Sequence, residues 1–255
     1  MSKKQTAAGI IRQTSLADGI FDMTLKAEEI AKEAKAGQFL SVYLNNQSKL
    51  LPRPISICGI DKEEGTLRIV YRIAGEGTRE LASYQPGDQV KILGPLGNGF
   101  TKKEKKAILI GGGIGIPPML ELAKELSCEK TAVLGYRDSQ MFLKDEFEKI
   151  CDVAVSTEDG SFGTCGNVID AIREQGVEGS IIYACGPTPM LRGIKAYATE
   201  QGIEAQISLE ERMACGIGAC LACVCKSKEV DSHSNVHNKR VCKDGPVFDA
   251  REVEL

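Results

Sequence analysis

Apolar positions in the first hundred residues recur at a spacing of two, in short runs that polar turns interrupt. Gly19 to Leu25, Gln38 to Tyr43, Pro54 to Cys58, Thr66 to Ile73 and Gln89 to Leu93 read as strands. Asn45-Asn46, Lys62-Glu63-Glu64-Gly65 and Pro86-Gly87-Asp88 read as the turns between them. Short strands at these intervals predict a small antiparallel barrel or sandwich. One helix, Arg79 to Tyr84, interrupts the series after Gly75-Glu76-Gly77-Thr78, a flexible turn whose backbone donors are free to face an anion.

From Ala107 the pattern changes. Ala107 to Ile110 is a continuous apolar run, followed by Gly111-Gly112-Gly113-Ile114-Gly115-Ile116-Pro117-Pro118 and a helical stretch to Leu126. Strands Thr131 to Tyr136, Val153 to Ser156 and Ser180 to Ala184 then alternate with helices Lys144 to Ile150 and Asn167 to Gln175. A second turn, Cys185-Gly186-Pro187-Thr188-Pro189-Met190, opens a last helix to Thr199. Such alternation predicts a doubly wound parallel sheet whose ligand lies at the carboxyl ends of its strands. Both Gly/Pro turns fall at such ends, where a pyrophosphate can meet a helix N-terminus, although the first departs from the G-x-G-x-x-G register. Glu158-Asp159-Gly160 also follows a strand and reads equally as an ordinary turn. Arg137, just past Tyr136, is either an exposed turn residue or a partner for a 2′-phosphate.

Composition narrows the classes. The chain is 42% hydrophobic and 26% charged, and its longest apolar run, Ala107 to Leu120, contains four glycines and two prolines, so no membrane span is expected. A net charge of −3 with scattered lysines argues against a nucleic-acid or anionic-membrane partner. The run Lys102 to Lys106 reads as a solvated linker face. Ten cysteines without a recognisable secretory signal point to a reducing cytoplasm.

Four of those thiols carry the sharpest chemical signal. Cys215, Cys220 and Cys223 are separated by four and by two residues, and Cys242 follows after eighteen more, which is the plant-type [2Fe–2S] ligand spacing. Zinc remains open on the residues alone, although its sites more often pair two C-x2-C knuckles. Cys225 reads as a packed spectator. His233 and His237 lie in the polar stretch Ser227 to Arg240, a solvent-facing loop, and neither reads as catalytic. Upstream, Arg53-Pro54-Ile55-Ser56 offers a guanidinium and a hydroxyl at a strand start, or merely an exposed edge. Val70-Tyr71-Arg72 adds an aromatic ring and a second cation.

Taken in succession, Arg53-Pro-Ile-Ser56, Gly75-Glu-Gly-Thr78, Gly111-Gly-Gly-Ile-Gly115 and Cys185-Gly-Pro-Thr-Pro-Met190 resemble the ferredoxin–NADP reductase superfamily. The thiol loop Met213 to Cys225, with Val241-Cys-Lys-Asp-Gly-Pro-Val-Phe248, is similar to the electron transfer subunits of NAD-dependent (class 1B) dihydroorotate dehydrogenases. The resemblance implies an FAD-binding antiparallel β-barrel over residues 1–100, an NAD-binding α/β domain with a doubly wound parallel sheet over 101–205, and a small [2Fe–2S] module over 206–255. It implies that Arg53, Pro54, Ile55, Ser56, Val70, Tyr71, Arg72, Gly77 and Thr78 contact FAD. Arg53 would neutralise the pyrophosphate and Ser56 would hydrogen-bond the flavin near N5. Gly112, Gly113 and Gly115 with Cys185, Gly186 and Pro187 are then the nicotinamide-nucleotide side, and Cys215, Cys220, Cys223 and Cys242 the cluster ligands. The wider superfamily often has Tyr at the place of Ile55 and ends on an aromatic residue over the flavin, whereas this chain continues past Phe248.

The family implies a relay. An FMN-containing catalytic subunit oxidises dihydroorotate in pyrimidine biosynthesis, and electrons pass through the cluster and FAD to NAD⁺, within a heterotetramer of two copies of each subunit. No side chain of this chain is expected to be catalytic itself. Two other readings stand beside it: the small flavin/iron–sulfur subunit of a ferredoxin:NADP oxidoreductase or sulfide dehydrogenase, and a non-catalytic zinc-binding nucleotide sensor. The surface around Gly216 to Ala222 and Val247-Phe248 is where the relay reading expects the partner.

Overall fold

The computed structural model describes residues 3–255 except 47 and 233, so the expectation for His233 lies outside the described residues. In chain order the elements are β1 (Lys4–Ala17), β2 (Ile20–Lys26), α1 (Glu28–Glu33), β3 (Phe39–Tyr43), β4 (Arg53–Asp61), β5 (Thr66–Arg72), α2 (Glu76–Leu81) and β6 (Gln89–Leu96). Next come β7 (Ala107–Gly112), α3 (Ile116–Glu125), β8 (Lys130–Tyr136), α4 (Lys144–Glu148), β9 (Asp152–Thr157), β10 (Thr164–Cys165), α5 (Val168–Glu174), β11 (Ile181–Cys185), α6 (Thr188–Gln201) and β12 (Glu204–Ser208). The chain closes with β13 (Val224–Lys226), β14 (Asn238–Arg240) and β15 (Val247–Asp249).

Strands β1 to β6 close an antiparallel barrel in the order β1-β2-β5-β4-β3-β6. Period-two alternation fills it: Leu40 and Val42 of β3, Ile55 and Ile57 of β4, and Ile69 and Tyr71 of β5 face one buried core with Leu25, Leu81 and Ile92. Their neighbours Phe39, Val70 and Cys58 pack outward into the other cores of the molecule. Each fully buried Leu or Ile contributes about 1.5–3 kcal/mol of transfer free energy.

The second sheet runs β10-β9-β8-β7-β11-β12-β15, parallel throughout except that β15 returns antiparallel beside β12, pairing Ile207 with Phe248. β7 sits at its centre, and every residue of Ala107–Gly112 is buried, as a strand covered by helices on both faces requires. Asn167 caps α5, its side chain accepting the N–H groups of Ile169 and Asp170 while the Asp170 carboxylate accepts the Asn167 N–H.

Several details differ from the sequence expectation. β1 and α1 have no counterpart in it. The helix expected at Arg79 to Tyr84 lies three residues earlier, because Thr78 Oγ1 accepts the N–H groups of Ala74 and Gly75 and so places the glycine turn at the start of the helix. β12 runs through residue 205, and β15 adds an edge strand to the sheet from within residues 206–255.

Side-chain bonds lock the parts together. Arg68 of β5 forks onto Glu146 of α4 at 2.6 and 2.8 Å, and its other edge grips Asp22, which is 1% exposed. Glu121 and Glu125 of α3 accept the backbone N–H groups of Ile60 and Ala36 from the barrel. Asn98, just past β6, donates to the carbonyls of Lys243 and Asp244 beside the thiol loop.

Candidate flavin, nucleotide and cluster sites

Between barrel and sheet lies a cleft of about 1320 Å³. Every upstream site residue expected from sequence lines it: Arg53 to Ser56, Val70 to Arg72, Gly77 and Thr78 from the barrel, and Gly112, Gly113, Gly115 and Cys185 to Pro187 from the sheet.

The barrel wall presents side chains. Arg53 opens β4, its guanidinium donates to the Leu51 carbonyl, and it lies across α2 so closely that a Cβ on Gly77 would collide with it. The absent side chain at Gly77 leaves room for this guanidinium, and the cation and the start of α2 together form one cradle suited to a phosphate. Pro54 and Ser56 face out of the barrel, whereas Ile55 is part of its core. Tyr71 likewise turns its ring into the barrel, where it stacks on Phe21 and donates to Gln13, so chiefly its backbone remains for the cleft. Burial pushes the Tyr71 hydroxyl pKa up, and it stays protonated.

The sheet wall presents backbone. Gly113 to Gly115 form a tight turn between β7 and α3, and a Cβ on Gly115 would strike the carbonyl of Cys185 at the end of β11. The two turns thus touch, with the Met190 side chain lodged against Gly112 and Gly186. Burial pushes the Cys185 thiol up to about 12, against a hydrogen bond from Ser208, so no nucleophilic thiolate faces the cleft. Arg137 and Glu158, at the ends of β8 and β9, are exposed on the same rim. Sequence reasoning missed Glu210 to Arg212, which link β12 to the thiol loop and line the cleft, and Ser156, whose buried Oγ has no hydrogen-bond partner among the described residues. Neither has a motif that would have revealed it.

The four cysteines gather as two pairs. Cys215 and Cys220 hold their sulfurs 3.3 Å apart, and Cys223 pairs with Cys242, whose N–H donates to the Cys223 sulfur at 3.4 Å. Backbone N–H groups of Ile217 and Cys220 point at the Cys215 sulfur, and that of Gly218 at the Cys242 sulfur. Burial pushes the Cys215 thiol up, but these donors outweigh it and bring it down to about 6. The hydrogen bond from Cys242 brings Cys223 to about 6, while Cys242 itself is raised. Among the described residues no three His, Cys, Asp or Glu side chains converge as a single-ion site. Two thiol pairs with inward donors suit a cluster of two irons, one pair to each, better than one zinc needing all four ligands at a point.

Arg240, 4% exposed, braces this loop by donating to the Gly218 carbonyl and to Asp244. Cys225 stands apart in β13, its thiol against the Lys239 carbonyl and pushed up to about 11 by burial. His237 is exposed and bonded to Lys228. Of the expected docking surface, Ile217 and Leu221 are exposed, but Val247 and Phe248 are buried because β15 packs on β12.

Comparison with known proteins follows the same divisions. The model of the oxidoreductase FAD-binding domain matches residues 11–100, and that of the oxidoreductase NAD-binding domain matches 109–196. The iron–sulfur cluster binding domain of dihydroorotate dehydrogenase B matches residues 210–254. In this order the three define an FAD- and NAD-binding iron–sulfur oxidoreductase built on the ferredoxin-reductase fold. The dihydroorotate dehydrogenase B (NAD(+)) electron transfer subunit of Shouchella clausii is 40% identical over 100% of both chains, and that of Listeria innocua 43% over 98% of this chain and 99% of its own. The chain belongs to this family of electron transfer subunits. Among solved structures, a chain of the NADH-dependent reduced ferredoxin-NADP oxidoreductase superposes with a TM-score of 0.87 at 31% identity, covering 98% of this chain and 90% of that one. The ferredoxin reductase in carbazole 1,9a-dioxygenase shares the fold at 17% identity with a TM-score of 0.69, over 80% of this chain and 67% of its own. No helix among the described residues is long and apolar enough to cross a membrane.

Proposed function

We propose that this chain takes electrons from an FMN-containing subunit that oxidises dihydroorotate, and delivers them to NAD⁺ in the cytoplasm as part of pyrimidine biosynthesis. Residues 1–100 hold FAD, 101–205 hold NAD and 206–255 hold a [2Fe–2S] cluster, in a heterotetramer of two copies of each subunit. The single observation that carries the reading is the cleft, where the FAD and nucleotide motifs face one another with the thiol loop packed beside the same barrel. Bound flavin supplies the exchange between one-electron and two-electron transfer.

The chain's own residues bind, orient and shield. Arg53 and the turn at Gly77-Thr78 hold the pyrophosphate of FAD, Ser56 donates to the flavin ring near N5, and Pro54, Ile55 and Val70 to Arg72 form the strand wall on which the ring rests. Gly112, Gly113, Gly115, Cys185, Gly186 and Pro187 let the nicotinamide nucleotide approach the sheet. Cys215, Cys220, Cys223 and Cys242 hold the cluster.

Two measurements test this. Anaerobically purified chain should contain FAD, iron and sulfide, and it should co-purify with an FMN subunit whose dihydroorotate-dependent NAD⁺ reduction stops when this chain is removed. A colourless zinc protein would overturn the reading. Cys220→Ser should lose the cluster yet keep a flavin that NADH reduces; loss of both together would contradict three separable sites. The likeness at TM-score 0.87 favours a second reading, a subunit of an NADH-dependent ferredoxin:NADP oxidoreductase. Co-purification with a large second flavin subunit would decide for it.

A further inference from the structure

Ser41 lies in the middle of β3 and is 1% exposed, and its Oγ has no hydrogen-bond partner among the described residues. A buried hydroxyl left unpaired is destabilising, so its persistence calls for an acceptor. The strand's alternation fixes where it points. Leu40 and Val42 face the barrel core, so Ser41 faces outward, beside Leu96.

What lies there is the thiol loop. A Cβ on Gly216 would stand 2.7 Å from Ser41 Oγ, so the hydroxyl lies against the residue that directly follows Cys215. The Cys215 sulfur already accepts backbone N–H groups from Ile217 and Cys220. On its other side Ser41 pairs across the ladder with Pro54 of the flavin-facing strand. One strand spacing, about 4.8 Å, therefore separates this hydroxyl from the strand that lines the cleft.

We propose that Ser41 donates its O–H to an inorganic sulfide at the Cys215 end of the cluster, since no cysteine sulfur among the described residues accepts it, and thereby raises the cluster's reduction potential. Reduction adds negative charge to the sulfurs, and a fixed donor stabilises the more negative state more strongly. Ser41 is a positioning residue: it neither ligates iron nor carries electrons. The inference rests on the [2Fe–2S] reading above, and iron and sulfide content separates failure of that reading from failure of this one.

The test uses the full-length chain purified anaerobically as wild type, Ser41→Ala and Ser41→Thr. Iron, sulfide and FAD are quantified, and the cluster is titrated potentiometrically with detection by electron paramagnetic resonance. Ser41→Ala should keep iron and sulfide but show a lower midpoint, with the reduced-to-oxidised ratio at the wild-type midpoint falling by up to about tenfold, equivalent to about 59 mV for one electron. It should also lose an exchangeable proton coupled to the cluster. Ser41→Thr keeps the hydroxyl and should keep both the midpoint and that proton. An unchanged midpoint in Ser41→Ala, or equal shifts in both variants, overturns the assignment. If Ser41→Ala fails to hold a cluster, Ser41→Thr decides alone: a lowered midpoint there overturns it and a preserved one with its coupled proton supports it. Wild-type protein without iron and sulfide overturns the cluster reading and this inference with it.

Discussion

The two walls of the cleft are made of different material. The barrel wall offers side chains, with the Arg53 guanidinium laid against Gly77 and the Thr78 hydroxyl tying down its own turn. The sheet wall offers glycine and proline backbone, two turns in contact with one another. Charge-assisted bonds from side chains favour a ligand that stays. A wall of glycine backbone beside a helix start admits a phosphate closely without holding it by long, entropically costly arms. Under the proposed function that division matches a retained FAD and an NAD that comes and goes.

Removing the barrel wall's cation should have the largest effect. Hydrogen bonds to charged groups contribute about 1.5–3 kcal/mol, so Arg53→Ala should weaken FAD binding by about ten- to a hundredfold, measured by flavin retention on dilution. The NADH site of whatever holoprotein remains should be unchanged. Altering the sheet wall should do the reverse. Gly115→Ala forces a Cβ onto the Cys185 carbonyl, an overpacking cost of about 1–3 kcal/mol. It should raise KM for NADH by up to about a hundredfold while FAD content stays full.

The contact that keeps the walls facing one another is smaller and depends on pH. The Arg68 hydrogen bonds hold the Glu146 carboxyl below its ordinary 4.5. A carboxylate held low stabilises the fold above its ordinary value and loses that contribution as pH falls through the lowered one. Melting temperature should therefore fall as pH drops below the ordinary 4.5, and part of that slope should vanish in Glu146→Gln. The smallest effect is expected at the rim. Glu158→Ser removes a negative charge from the rim that Arg137 shares, and should improve kcat/KM for NADPH relative to NADH by less than about tenfold, a surface-charge effect. A strong NADPH preference in the unaltered protein would overturn the assignment of NAD.

Much of this was legible in the sequence because it rests on local chemistry. Gly113 to Gly115 and Cys185 to Pro187 announce tight turns wherever they occur, and the thiol spacing is itself a ligand pattern. What was not legible depends on distant parts of the chain. β1 buries only Ala8 and Ile10, so its alternation is faint, and its place comes from pairing with β2 and β6 to close the barrel. β12 reads as polar because Gln206 is spent on Thr101, more than a hundred residues away in sequence. Phe248 looked like surface and is core, because only the sheet edge at Ile207 reveals its partner. Ser41 gave no signal, since an unpaired hydroxyl is visible only once its surroundings are assembled.

β12 and β15 are neighbouring antiparallel strands, and the whole thiol loop is the connection between them. In topological terms the redox module is a hairpin loop grown long. The entropic cost of such growth rises only with the logarithm of loop length, about 0.6 kcal/mol per doubling. A two-electron reductase can thus acquire a one-electron outlet by lengthening a single turn, with no break in the sheet that anchors both of its ends.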